Sequence, residues 1–218
     1  MRKSLFALPL MALAVVAAKP APLAAPTVTH TAPAAIAADP ANRLNIELSS
    51  GGTVVVQLRP DVAPQHVYRV QSLASQGFYN GLTFHRVIPG FMAQGGDPEG
   101  TGTGGSTLPN VPAEFSSLPH MRGVMAMART MEDLNGGNSQ FFLMLSPGMA
   151  LDKKYSILGR VISGMNFVDG IAPGEPPEAP TKMVRVWIDG PLPAPPAIAV
   201  PTITPVAPVE PEAKPSGS

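Results

Sequence analysis

From residue 43 the chain alternates. In Arg43-Leu-Asn-Ile-Glu-Leu48, the apolar Leu44, Ile46 and Leu48 are separated by polar residues, the period of a strand with one buried face. Ser49-Ser-Gly-Gly52 is a turn signal, and alternation resumes over Thr53 to Arg59 through Val54, Val56 and Leu58. The two runs predict a hairpin. The period then changes. After Pro60-Asp-Val-Ala-Pro64, residues Ala63, His66, Val67, Val70, Leu73 and Ala74 recur at helical spacing, and Gly77 suits a C-terminal stop. From Leu82 on, short apolar runs (82–87, 91–95, 123–128, 140–145, 156–162 and 182–188) are divided by Gly- and Pro-rich stretches. Many short strands with turn signals predict a closed or packed antiparallel sheet. A second, short helix is predicted over Ser163 to Ile171. No internal repeat is visible.

Both ends read differently. Of 27 prolines, six precede residue 42 and nine follow residue 189, so the low-complexity sequence lies outside the 42–189 segment. That segment is long enough for one core. Arg2 and Lys3 precede an apolar run from Leu5 to Ala18 that ends in the small residues Ala17 and Ala18, the pattern of an export signal. As a helix the run spans about 21 Å, short of the ~30 Å hydrocarbon core. A signal peptide is therefore expected over residues 1–18, with cleavage after Ala18 or as late as Ala38, and an uncleaved membrane anchor is the alternative. The expected location is periplasmic or secreted. Residues 19–41 read as a Pro/Ala-rich flexible linker. Residues 190–218 read as a Pro-rich disordered tail, with a Pro-rich docking ligand as the other reading.

Charge adds little. Fifteen Lys+Arg balance fifteen Asp+Glu, so no nucleic-acid or anionic-membrane partner is indicated. There is no Cys, which excludes disulfides, thiolate nucleophiles and Cys-based metal sites. His30, His66, His85 and His120 show no zinc-like spacing, and no metal or cofactor is called for. Gly100-x-Gly102-x-x-Gly105 formally matches a dinucleotide fingerprint, but Pro98 precedes it and Ser106-Thr-Leu-Pro-Asn-Val-Pro112 cannot open the required helix. It reads as a loop flanking a groove.

Three blocks carry the chemistry. Phe84-His-Arg-Val-Ile-Pro-Gly-Phe-Met-Ala-Gln-Gly-Gly-Asp97 is followed by the Gly-rich stretch 100–105, then by Asn138-Ser-Gln-Phe-Phe142, then by Leu151-Asp-Lys-Lys-Tyr-Ser-Ile-Leu-Gly159. In order and content they resemble the cyclophilins, over essentially all of residues 42–189. The resemblance implies a mainly β fold, a closed eight-stranded antiparallel β-barrel capped by two α-helices. It implies a peptidyl-prolyl cis-trans isomerase, expected as a monomer acting on proline-containing peptide segments. It places the catalytic arginine at Arg86, with Gln94 and Phe91 beside it, and substrate-binding positions at Met92, Ala128, Arg129, Gln140, Phe142, Leu151 and Tyr155. Judged alone, Arg86 would read as a strand arginine in a surface ion pair, the aromatics as core, and the glutamines as satisfied groups bridging strands. His85 reads as a neutral strand histidine that orients its neighbours. Two positions depart from the family. Ala150 stands where many eukaryotic relatives carry Trp, which implies weak cyclosporin binding with activity retained. Tyr155 stands at a position often held by His, and can still offer a ring wall and a hydroxyl. A non-enzymatic proline-peptide-binding chaperone or scaffold is the rival reading, and a Pro-rich envelope tether a third.

Overall fold

The computed structural model describes residues 29–197. The expected signal peptide, and the tail beyond Ala197, lie outside the described residues. The predicted hairpin forms as β1 (Arg43–Leu48) and β2 (Thr53–Leu58), with Leu44 opposite Val56 and Ile46 opposite Val54. All four of these apolar side chains are buried. The six later runs become β3 (Arg86–Ile88), β4 (Met92–Gly95), β5 (Val124–Met127), β6 (Phe141–Met144), β7 (Ile157–Ser163) and β8 (Met183–Ile188). They join one antiparallel sheet in the order β3-β4-β6-β5-β7-β2-β1-β8.

The sheet curls into a half-barrel. Its end strands, β3 and β8, share no ladder, so the closed barrel expected from the sequence is corrected to an open one. Isolated bridges, Thr83 to Lys182 and Val87 to Gly174, span the seam. Backbone bonds from Phe84 N to Thr181 O (2.9 Å) and Met183 N to Leu82 O (2.8 Å) assist them. The physical reason lies in residues 173–180. Pro173, Pro176, Pro177 and Pro180 supply no N–H, so this stretch cannot pair continuously with three-residue β3.

The main helix, α2 (Pro64–Ser75), buries the predicted face: His66, Val67, Val70, Leu73 and Ala74. Its N-cap, Ala63, has no capping side chain. Glu114, from a distant loop, accepts from Gln65 N (3.1 Å) and His66 N (3.0 Å), and pairs with His66 Nδ1 (2.7 Å). A carboxylate at this end meets unpaired donors and the positive end of the helix dipole. The second predicted helix is α3 (Met165–Asp169).

The tether boundary shifts. Within residues 19–41, read as linker, the chain forms a short helix α1 (Ala34–Ala38), followed by a 3₁₀ turn (Pro40–Asn42). Buried polar side chains of the domain hold this segment by its backbone. Arg59, 4% exposed, donates to Thr29 O (3.0 Å) and His30 O (3.5 Å). Gln57 reaches Ile36 O (3.3 Å), and Gln71 reaches Ala41 O (2.8 Å). Buried donors need acceptors, and carbonyls supply them whatever side chains a segment carries, so composition did not reveal the anchor. Residues 190–197 form no regular element.

Candidate active site

Alternation gives the strands two faces. Across β3, β4, β6 and β5 one row runs Val87–Ala93–Leu143–Met125 and points into the main core. The next row runs Arg86–Gln94–Phe142–Ala126. On that opposite face Met92, Ala126, Ala128, Phe142, Met144 and Ile157 form a second apolar cluster, with Phe91, Leu151 and Tyr155 half-buried against it.

The β3–β4 turn sets the arginine beside this cluster. Ile88-Pro-Gly-Phe91 closes with Phe91 N donating to Ile88 O (3.0 Å), and Gly90 has φ +70. A positive φ at the third position, after Pro, is the type II requirement. It brings Arg86 opposite Gln94 and stands Phe91 at the edge of the cluster.

A cleft of about 470 Å³ opens there, lined by Arg86, Phe91, Met92, Gln94, Ala128, Arg129, Phe142, Leu151 and Tyr155. Nine of the ten residues named from the sequence thus share one cavity. The tenth, Gln140, lines an adjoining cavity of about 490 Å³ together with Gln94, Ala128, Arg129 and the Gly-rich loop. Gln94 Nε2 donates to Gln140 Oε1 (2.8 Å), and Gln140 Nε2 donates to Gly102 O (3.0 Å) and Gly104 O (2.8 Å). The glutamines thereby tie the cleft to the loop read as flanking a groove.

Asp97 shapes that loop from inside. Its carboxylate, 1% exposed, accepts from the backbone N–H groups of Glu99 (2.8 Å), Thr101 (3.0 Å), Gly102 (2.6 Å) and Gly104 (3.2 Å). Burial acts to raise its pKa, but the four donors outweigh burial and hold it below the ordinary range. A side chain at Gly104 would collide with this carboxylate, which explains a glycine there.

The cleft floor rests on rings. Phe142 and Tyr155 meet edge to face, with centroids 5.6 Å apart, and His120 stacks on Phe142 at 6.3 Å. His120 is wholly buried, and its Nδ1 pairs with Asp152 (2.9 Å). Burial lowers the His120 pKa, only partly opposed by Asp152. Arg129 lies 4.7 Å over the Tyr155 ring. Its nitrogens donate to the carbonyls of Lys154, Thr130 and Met131, so it serves as a wall and a clamp.

Arg86 has two surroundings. It lines the cleft, and it makes a surface ion pair: Nε donates to Glu175 Oε2 at 2.6 Å, with the side chains 43% and 50% exposed. Its two Nη groups make no hydrogen bond among the described residues. His85 corrects its expectation. Its ring is buried and, among the described residues, neither nitrogen has a partner, so it orients none of them by hydrogen bonding; burial lowers its pKa. The sequence also missed Thr130, Met131 and Glu132, which complete the cleft wall directly after Arg129, and Glu175, 89 positions from Arg86. The first three could have been found by extending the Arg129 match, whereas no local pattern marks Glu175.

A half-barrel whose outer face carries an apolar cleft lined in part by an arginine can take an apolar ring beside a cation. The model of the cyclophilin-type peptidyl-prolyl cis-trans isomerase/CLD family matches residues 43–188, and the chain belongs to that family: it is a peptidyl-prolyl cis-trans isomerase. A probable peptidyl-prolyl cis-trans isomerase of Brucella suis is 44% identical over 171 residues, covering 71% of this chain and 86% of that protein. Peptidyl-prolyl cis-trans isomerase B of Bacillus subtilis is 41% identical, covering 59% and 89%. The crystal structure of the cyclophilin AquaCyp293 from Hirschia baltica superposes with a TM-score of 0.64 at 32% identity, covering 69% and 74%. A Cryptosporidium parvum cyclophilin, crystallised in the presence of the dipeptide Ala-Pro, gives 0.63 at 27% identity, covering 68% and 99%.

Proposed function

We propose that this isomerase turns X-Pro bonds of exported proteins, with Arg86 as its catalytic group. The observation that carries the reading is Arg86 at the rim of an apolar cleft with both Nη groups unengaged among the described residues. Rotation about an X-Pro bond is slow because amide resonance must break, a barrier of roughly 18–20 kcal/mol. In the twisted transition state the imide nitrogen becomes pyramidal and its lone pair localises. A donor aimed at that lone pair stabilises the transition state more than the planar ground state. Arginine suits the role as a permanent cation with rigid donors. Its charge-assisted hydrogen bond contributes about 1.5–3 kcal/mol, or roughly ten- to a hundredfold in rate. The proline ring sits on Phe91, Met92, Phe142 and Leu151, which hold it while the rest of the peptide turns. No nucleophile, cofactor or metal enters the step, and one copy of the chain suffices.

Export rests on the N-terminal pattern of residues 1–18. Slow X-Pro bonds limit folding over tens to hundreds of seconds, and this reaction needs no ATP. Ala150 is exposed on the turn that carries Leu151 and offers no ring to cyclosporin, so inhibition by that cyclic peptide is expected to be weak.

The mechanism is tested by a protease-coupled assay on a proline-containing peptide. Arg86→Ala is expected to lower kcat/KM about ten- to a hundredfold. Unchanged activity in that variant would sink the mechanism, and an inactive parent chain would favour a binding module instead. Mass spectrometry of the mature N-terminus with cell fractionation tests location. A first residue at Met1 in a cytoplasmic fraction would exclude export.

A further inference from the structure

Sequence reasoning assigns nothing to the proline-rich loop between α3 and β8, yet this loop touches the reacting group. Val87 and Gly174 exchange both backbone bonds across the seam, Val87 N to Gly174 O at 2.8 Å and Gly174 N to Val87 O at 2.9 Å. Their neighbours Arg86 and Glu175 are thereby set side by side, and the side chains meet at 2.6 Å. Pro176 follows Glu175, and a proline sterically restricts the backbone of the residue before it. The contact uses Nε alone.

A half-exposed arginine otherwise samples many rotamers. Anchoring Nε restrains the plane of the guanidinium and leaves both Nη groups free to donate. A donor held in place costs less reorganisation at the transition state than one that must be collected from solvent. Glu175 does not line the cleft, so its carboxylate can set the arginine without building the proline pocket.

We propose that Glu175 is a positioning residue for the isomerisation, holding Arg86 by Nε so that the loop stitching the seam also sets the turnover rate. This inference rests on the Arg86 mechanism above. Its effect is modest, because exposed ion pairs are weak.

The test measures kcat and KM separately, by exchange NMR on the full chain, for the parent, Glu175→Ala, Glu175→Gln, Arg86→Ala and the double variant Arg86→Ala/Glu175→Ala. Glu175→Ala is expected to lower kcat about two- to fivefold with KM nearly unchanged. Glu175→Gln keeps an acceptor oxygen at the same reach and should recover much of the loss. In the Arg86→Ala background, removing Glu175 should cost nothing further. An unchanged kcat in Glu175→Ala overturns the proposal. So does an equal loss in the Arg86→Ala background, or a raised KM with a lowered Tm, since each shows Glu175 acting other than through the arginine. If Arg86→Ala itself is as fast as the parent, the failure belongs to the mechanism and not to Glu175.

Discussion

Along β3, β4, β6 and β5, neighbouring residues meet two different environments. Facing inward, Val87, Ala93, Leu143, Met125 and Phe141 are at most 2% exposed and have apolar partners on every side. Facing outward, Met92, Ala126 and Phe142 are also buried, but Ile88, Phe91, Leu151 and Tyr155 beside them are only partly covered. The inner face is closed over by the rest of the sheet and by α2, whereas the outer face is covered from one side by loops and stays open as the cleft. One set of strands therefore supplies stability on one face and binding on the other. Period-2 alternation keeps the two jobs on separate residues.

The adjacent pair Phe141 and Phe142 gives the sharpest way to break this comparison. Phe141→Ala removes a wholly buried ring that packs edge to face on Tyr79 and Phe84, and should cost about 3–5 kcal/mol of stability. Phe142→Leu keeps most of the apolar volume, so denaturant unfolding should show a loss under about 1.5 kcal/mol. Activity should nonetheless fall about tenfold as the floor of the proline cleft loses its ring face. Equal stability losses in the two variants, with no selective loss of activity at Phe142, would mean that the faces are not divided in this way.

A second effect separates the faces by titration. The inner core holds Tyr79, whose phenol donates to Ser139 O (3.0 Å) and is pushed upward by burial, so it carries no charge near neutral pH. Around the site, burial lowers the pKa of His120 and His85, and four backbone donors lower that of Asp97. The signs agree. A histidine with a lowered folded pKa takes its proton more readily in the unfolded chain, so stability is whole above about pH 6.5 and falls as pH drops below it. Asp97 adds a further loss as pH falls below the unfolded carboxylate value of about 3.9. Calorimetry from about pH 8 down to about pH 3 should show Tm falling first through the histidine window. His120→Gln should flatten that part. A Tm that rises between pH 7 and 5 would show the histidines gaining, not refusing, a proton on folding.

The same division explains what the sequence disclosed. Strands β1 and β2 and helix α2 were legible because burial on one side writes a period of two or 3.6 into the chain. Seven of the nine cleft residues were legible because Phe84–Asp97, Asn138–Phe142 and Leu151–Gly159 match the family's blocks, and Ala128 and Arg129 because the resemblance runs on between those blocks. Contacts made through backbone or across long separations leave no such mark. The anchoring of residues 29–42 uses carbonyl oxygens, and the Arg86–Glu175 pair joins a strand to a loop 89 positions away. The open seam was likewise hidden, because a resemblance conveys a family's topology but not how far a proline-rich stretch of this chain fails to pair.

The smallest expected effect concerns Gln140, which links the two cavities. Gln140→Ala deletes two donations to the Gly-rich loop and the acceptor for Gln94. The loop has a second, independent hold in Asp97, so its shape should survive and the stability change should stay near 1 kcal/mol. Gln94, released from its acceptor, should then sample several orientations beside Arg86, and kcat/KM should fall about fivefold or less, the worth of one ordinary hydrogen bond. Asp97→Asn makes the contrast, since it weakens every donor bond that shapes the loop and should lower Tm more than Gln140→Ala does. If Gln140→Ala instead slowed turnover as much as Arg86→Ala, the loop would be part of the chemistry. The outer face would then work as two coupled cavities rather than as one cleft with a supporting neighbour.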